Sequence, residues 1–241
     1  MDSRVKFSPE QKHLRRRILE ISYQRNLSHL GSNLSAVDLI YAIYNLKNKD
    51  ERFILSSGHA AIALYVVLEK YGLLLGSAID GLCIHPERDA QKCIDLSTGS
   101  LGHGLPIALG MAIANRSKTV YCLSSDGECA EGSVWEALRV ACNYKVDNLK
   151  LVINANGWGA YDPINLAALL KRFRGFGYRV ILANGHNIKQ MGKALMKKIP
   201  GQPLVIFART CVGQFPFLKG QDAHYYVMNE SDYKLAMEIL R

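Results

Sequence analysis

Ser125-Asp126-Gly127-Glu128 and Asn154-Ala155-Asn156-Gly157 bracket the stretch whose reading decides the fold. Each polar, glycine-bearing tetrad follows an apolar run, residues 119–123 and residues 149–153, so both read as strand ends. Between them, residues 133–144 carry Val134, Leu138 and Ala141 at i, i+4 and i+7, the spacing of one helical face. The order strand, turn, helix, strand predicts a right-handed βαβ crossover with parallel strands. Ligands of open parallel sheets collect beyond the carboxyl ends of the strands, where Asp126 and Asn156 stand. The two are expected to face one site.

A carboxylate, an amide oxygen and a backbone carbonyl suit a hard cation that keeps phosphate oxygens in its shell, and make a poor zinc site. Gly127, lacking a Cβ, would let a diphosphate lie against the chain and take a main-chain N–H. The residues read as a grip for a metal and a diphosphate.

The same stretch resembles the thiamine-diphosphate enzymes, in which Gly-Asp-Gly is followed some thirty residues later by Asn. Glu131-Gly132 and Trp135-Glu136 narrow the resemblance to the amino-terminal part of transketolase. It implies a three-layer α/β/α domain with a mainly parallel sheet, holding thiamine diphosphate and Mg²⁺ (or Ca²⁺ or Mn²⁺). By resemblance, Asp126, Asn156 and the Trp158 carbonyl hold the metal, and Gly127 and His59 touch phosphate oxygens.

The rest of the chain is expected to form one domain over residues 1–241, with no linker to divide it. Ser8-Pro9, with Gln11 at the capping-box position, starts a helix to about residue 26. Ser28-His29-Leu30-Gly31-Ser32 reads as a loop before a second helix capped by Ser35, with Asp38 completing its box. Residues 52–55 form a strand that turns through Ser56-Ser57-Gly58-His59 into a helix, placing His59 near helical N–H groups. An irregular stretch, residues 73–96, holds His85-Pro86, and Thr98-Gly99-Ser100-Leu101-Gly102-His103-Gly104 leads into the apolar helix 105–114. Helices over 164–173 and 188–198 alternate with strands over 178–183 and 204–209, and a turn-rich stretch with His224 precedes a final helix, 231–240.

The resemblance assigns His29, His85 and His224 to the substrate channel, and His59 and His224 to the diphosphate. Gly99 and Leu101 would border the cofactor's aminopyrimidine, where His103 replaces the usual glutamine. Imidazoles suit such work because they take and give protons near neutral pH. Glu131 is expected in a carboxylate network at a subunit interface; a solvent-facing helix-start acid is the plainer reading. Family features missing at Ser125, Ala60, His103 and Tyr225 keep open a cofactor-binding protein without catalysis, and a 1-deoxyxylulose-5-phosphate synthase-like subunit shares the same grip.

The net charge of +9, from 30 Lys and Arg against 21 Asp and Glu, favours acidic partners such as sugar phosphates. The basic run Lys12-His13-Leu14-Arg15-Arg16-Arg17 reads as a solvated helix face, because no aromatic platform accompanies it; nucleic acid is not an expected partner. The six cysteines show no Cys-x-x-Cys pair and read as reduced packing residues of a cytoplasmic protein. No signal peptide or bilayer-length apolar run is present, so no membrane is expected. The resemblance covers about the first third of a transketolase. It therefore implies a partner subunit bearing the pyrimidine-binding domain, in an α2β2 assembly, and a chain inactive alone.

Overall fold

Ser8 Oγ accepts the Gln11 N–H at 3.2 Å while Gln11 Oε1 accepts the Ser8 N–H at 3.1 Å, and Pro9 takes the first helical position. This capping box opens α1 (Pro9–Gln24) as the sequence predicts. There follow α2 (Leu30–Tyr44), β1 (Arg52–Leu55), α3 (Ala61–Lys70), α4 (Gly104–Ala114), β2 (Val120–Ser125), α5 (Gly132–Asn143) and β3 (Leu149–Ala155). The chain continues through α6 (Leu166–Gly175), β4 (Val180–Asn184), α7 (Ile188–Leu195), β5 (Leu204–Arg209), α8 (Asp222–Tyr225) and α9 (Glu230–Ile239). The structure, a computed structural model, describes residues 6–241.

The strands form one sheet in the order β1-β2-β3-β5-β4, every neighbouring pair parallel. Alternation along the strands sorts the core into two layers. On one face, Val120, Cys122, Leu151, Ile153, Val205 and Phe207 pack against α4, α5 and α6. On the other, Tyr121, Leu123, Val152, Ile206 and Ala208 pack against α1, α2, α3 and α7. Both faces are buried, so a slip of one residue would exchange the side chains of the two packed layers and leave voids and clashes on each, which fixes the register by packing. The expected three-layer α/β/α architecture is the one observed, with a sheet that is parallel throughout.

Four expectations need correction. The capping box at Ser35 and Asp38 does not form: α2 already begins at Leu30, so both residues lie inside it. Ser35 Oγ donates to the Ser32 carbonyl at 3.0 Å and accepts from Asn154 Nδ2 at 2.9 Å. Asp38 is fully buried and accepts from Arg15 Nη1 at 2.9 Å and Nη2 at 2.6 Å. Apart from the local bond to Ser32, distant partners satisfy the polar groups that looked like a helix start. Arg15, placed by its neighbours on a solvated face, is 0% exposed, held by Asp38, by Gln214 Oε1 at 2.7 Å and by the Gln11 carbonyl at 3.1 Å. Cys83 and Cys93 are exposed rather than packed, and the turn-rich stretch contains the short helix α8.

No helix among the described residues is long and apolar enough to cross a membrane.

Candidate functional site

β2 ends at Ser125, paired in register with Asn154 of β3, and the next turns bring the two sequence tetrads side by side. The Asp126 N–H extends the pairing by donating to the Asn154 carbonyl at 3.2 Å. Beyond the carboxyl ends of β1, β2 and β3 lies a cavity of about 360 Å³. Of the eleven residues singled out from the sequence, ten line it: His29, His59, His85, Gly99, Leu101, Gly127, Glu131, Asn156, Trp158 and His224. Asp126 lies beneath them, 1% exposed.

Asp126 Oδ1 accepts the Gly127 N–H at 3.0 Å and Oδ2 accepts the Gly157 N–H at 2.6 Å. These donors favour the carboxylate, yet burial outweighs them and pushes the carboxyl up to about 7. No cationic side chain among the described residues is paired with this acid. Asn156 Oδ1 accepts the Trp158 N–H at 2.9 Å, which orients the amide and leaves one lone pair for a ligand. A Cβ on Gly127 would sit 3.1 Å from Gly159 Cα and 3.8 Å from the Trp158 carbonyl oxygen, so a side chain there would crowd the crevice. The N–H of Gly127 is already engaged by Asp126, so this glycine contributes room rather than the expected donor.

Four histidines, scattered from residue 29 to residue 224, meet on the opposite wall. Ring centroids are 4.7 Å apart for His29 and His224, 5.2 Å for His59 and His224, 5.6 Å for His29 and His59, and 6.2 Å for His29 and His85. Burial, with the mutual repulsion of the charged rings, lowers His29 to about 4 and His59 to about 3, and burial lowers His224. His29, His59 and His224 rest as uncharged imidazoles near neutral pH, able to accept protons. His29 sits in the left-handed region (φ 64°), where its N–H donates to the His224 carbonyl at 2.8 Å. Glu131 is exposed at the start of α5 and borders the cavity, whereas His103 is exposed at the start of α4 and is not among the lining residues.

Sequence reasoning missed two supports of this site. Asn33 Nδ2 donates to the His29 carbonyl at 2.9 Å and the His59 carbonyl at 3.4 Å, while its Oδ1 accepts the Ala63 N–H at 2.9 Å. It spaces two histidine loops. Glu128 is fully buried and accepts from Ser56 Oγ at 2.5 Å, Ser124 Oγ at 2.5 Å and the Gly102 N–H at 2.8 Å. It joins the ends of β1 and β2 to the glycine loop. An acid immediately after Asp126-Gly127 was the only local signal, and none marked Asn33.

Residues 17–240 match the family described as transketolase, thiamine diphosphate binding domain. Human transketolase is 39% identical over 184 residues, which cover 68% of this chain and 29% of that protein. The chain thus spans less than a third of the length of the mammalian transketolases it matches. A protein of Actinobacillus succinogenes named as one subunit of an apulose-4-phosphate transketolase is 30% identical, with 95% of this chain and 94% of that one aligned. Among solved structures, the Campylobacter jejuni transketolase superposes with a TM-score of 0.80 at 28% identity, covering 96% of this chain and 42% of that one.

Proposed function

This chain belongs to the transketolase thiamine-diphosphate-binding family, and from that premise we propose that it is the amino-terminal subunit of a split transketolase. It would transfer a two-carbon ketol unit between sugar phosphates, together with a carboxyl-terminal subunit in an α2β2 assembly. The observation that carries the reading is that Asp126 and Asn156, just past the paired ends of β2 and β3, come together at one cavity beside Gly127, where a Cβ would crowd the Gly159 backbone. The near-complete, end-to-end alignment with a relative that is itself named as one subunit of a transketolase supports the split.

The donor set fits a divalent cation with a diphosphate. Asp126 has no charged partner among the described residues, Asn156 keeps a free lone pair, and the Trp158 carbonyl faces the same crevice as Gly127. These three residues would hold Mg²⁺, with Ca²⁺ or Mn²⁺ as substitutes. Gly99 and Leu101 would border the cofactor's ring. When bound, thiamine diphosphate supplies the carbon that adds to a ketose carbonyl. This chain's part is to anchor, orient and move protons. His29, His85 and His224 would exchange protons with sugar hydroxyls, as imidazoles can both take and give them, and His59 would lie against the diphosphate. Glu131, exposed at the cavity rim, would meet the partner subunit. Residues 1–241 would act as one domain. The cysteines, none of them in a disulfide among the described residues, support a cytoplasmic setting.

Calorimetric titration with thiamine diphosphate and Mg²⁺ tests the grip. Saturable binding that needs the metal and falls at least a hundredfold in Asp126→Ala is expected; binding indifferent to that substitution would sink the reading.

A further inference from the structure

We infer that the Ser125 hydroxyl donates a hydrogen bond to the cofactor's diphosphate, an inference that rests on the thiamine-diphosphate reading above. The Gly-Asp-Gly pattern that this stretch resembles has glycine at the position of Ser125. Ser125 closes β2, is only 6% exposed, and lines the cavity beside Gly127 and Asn156. Its Oγ accepts the Glu128 N–H at 3.1 Å, which pins the side chain on the turn that carries Gly127.

A hydroxyl that accepts one N–H still has its own proton to give, and no hydrogen bond among the described residues uses it. The neighbouring main-chain donors are committed elsewhere. The Gly127 and Gly157 N–H groups both serve Asp126, the Trp158 N–H serves Asn156, and the Glu128 N–H serves Ser125 itself. An anion entering between the strand ends therefore finds these four N–H groups engaged and meets the Ser125 hydroxyl as a donor with its proton left, beside the Asn156 side-chain amide. Hydrogen bonds to charged oxygens are the strong kind, which gives the contact weight. The rival effect of a serine in place of glycine is crowding by Cβ, and the two effects have opposite signs when the side chain is removed.

The test compares the full chain with Ser125→Gly, Ser125→Ala and Ser125→Thr. Affinities for thiamine diphosphate and for thiamine, which lacks the phosphates, are measured with Mg²⁺ by calorimetry, alongside the unfolding midpoint of each unliganded protein. The expected result is about tenfold weaker diphosphate binding in the glycine and alanine variants, unchanged thiamine binding, and near-normal affinity in the threonine variant, which keeps the hydroxyl. Equal or tighter diphosphate binding in Ser125→Gly overturns the inference and leaves the cofactor reading intact. So does a loss shared equally by thiamine and thiamine diphosphate, which would assign Ser125 to the turn alone. A wild-type chain that binds no thiamine diphosphate overturns the parent reading and this one together.

Discussion

Glu128 offers the sharpest test of how the site is built. Replacing it with alanine strips an acceptor from three donors in a place with no solvent access: two serine hydroxyls and the Gly102 N–H. The hydroxyls can swing toward other acceptors, but the amide of a loop glycine is fixed. Leaving a buried donor unpaired costs about 1–3 kcal/mol, so the substitution should remove about 3–5 kcal/mol once partial rearrangement is allowed for. That is a large share of the roughly 5–15 kcal/mol that holds a typical domain together. At about 2–4 °C per kcal/mol for a chain of this size, the melting temperature should fall by roughly 10 °C. Glu128→Gln keeps one acceptor oxygen and should lose about half as much. Calorimetric or circular-dichroism melting of the unliganded chain reads both. A fall of less than about 2 °C in Glu128→Ala would refute the argument that this carboxylate joins the two strand ends to the glycine loop.

Stability should also respond to acid with a defined sign. His29 and His59 are held at about 4 and about 3, below the ordinary 6.5, so the unfolded chain binds protons that the native chain refuses. Their contribution is complete above pH 6.5 and declines as pH falls toward 4, by up to about 1.4 kcal/mol per pH unit for each ring. Asp126, raised to about 7, works oppositely: it stabilises at low pH and its contribution fades as pH rises through 7. Two rings against one carboxyl leave a net loss on acidification, which His29→Asn with His59→Asn should reverse; urea midpoints at pH 5 and pH 7.5 decide. Asp38→Ala strands the Arg15 guanidinium at full burial and should cost about 3–5 kcal/mol by chemical denaturation. Gly102→Ala forces a Cβ within 2.5 Å of Ser133 Oγ at a φ of +81°. It should lose about 1–3 kcal/mol and weaken cofactor binding, checked by melting and titration.

What was legible in the sequence is what short-range pattern determines. The β2–α5–β3 unit was read correctly because apolar runs, a helical face and glycine turns all lie within one stretch. The histidines were found through motif resemblance, since nothing local says that residues 29, 59, 85 and 224 share a wall. The start of α2 was misread for a physical reason. Ser35 and Asp38 mimic a capping box, whereas their true partners are Asn154, Arg15 and His186, each far away in sequence. The same applies to Arg15, whose neighbours in the chain are basic while its neighbours in space are acidic or polar. Long-range pairing of polar groups was the part no window of sequence could reveal.

The central claim is that this chain carries half of an active centre. The direct measurement is ketol transfer between sugar phosphates, with thiamine diphosphate and Mg²⁺, for this chain by itself, for the carboxyl-terminal half of a split transketolase by itself, and for the two mixed. The account predicts turnover only in the mixture, rising to a plateau at equimolar subunits. Turnover by this chain without its partner, or a mixture that binds the cofactor and assembles yet transfers nothing, would contradict it.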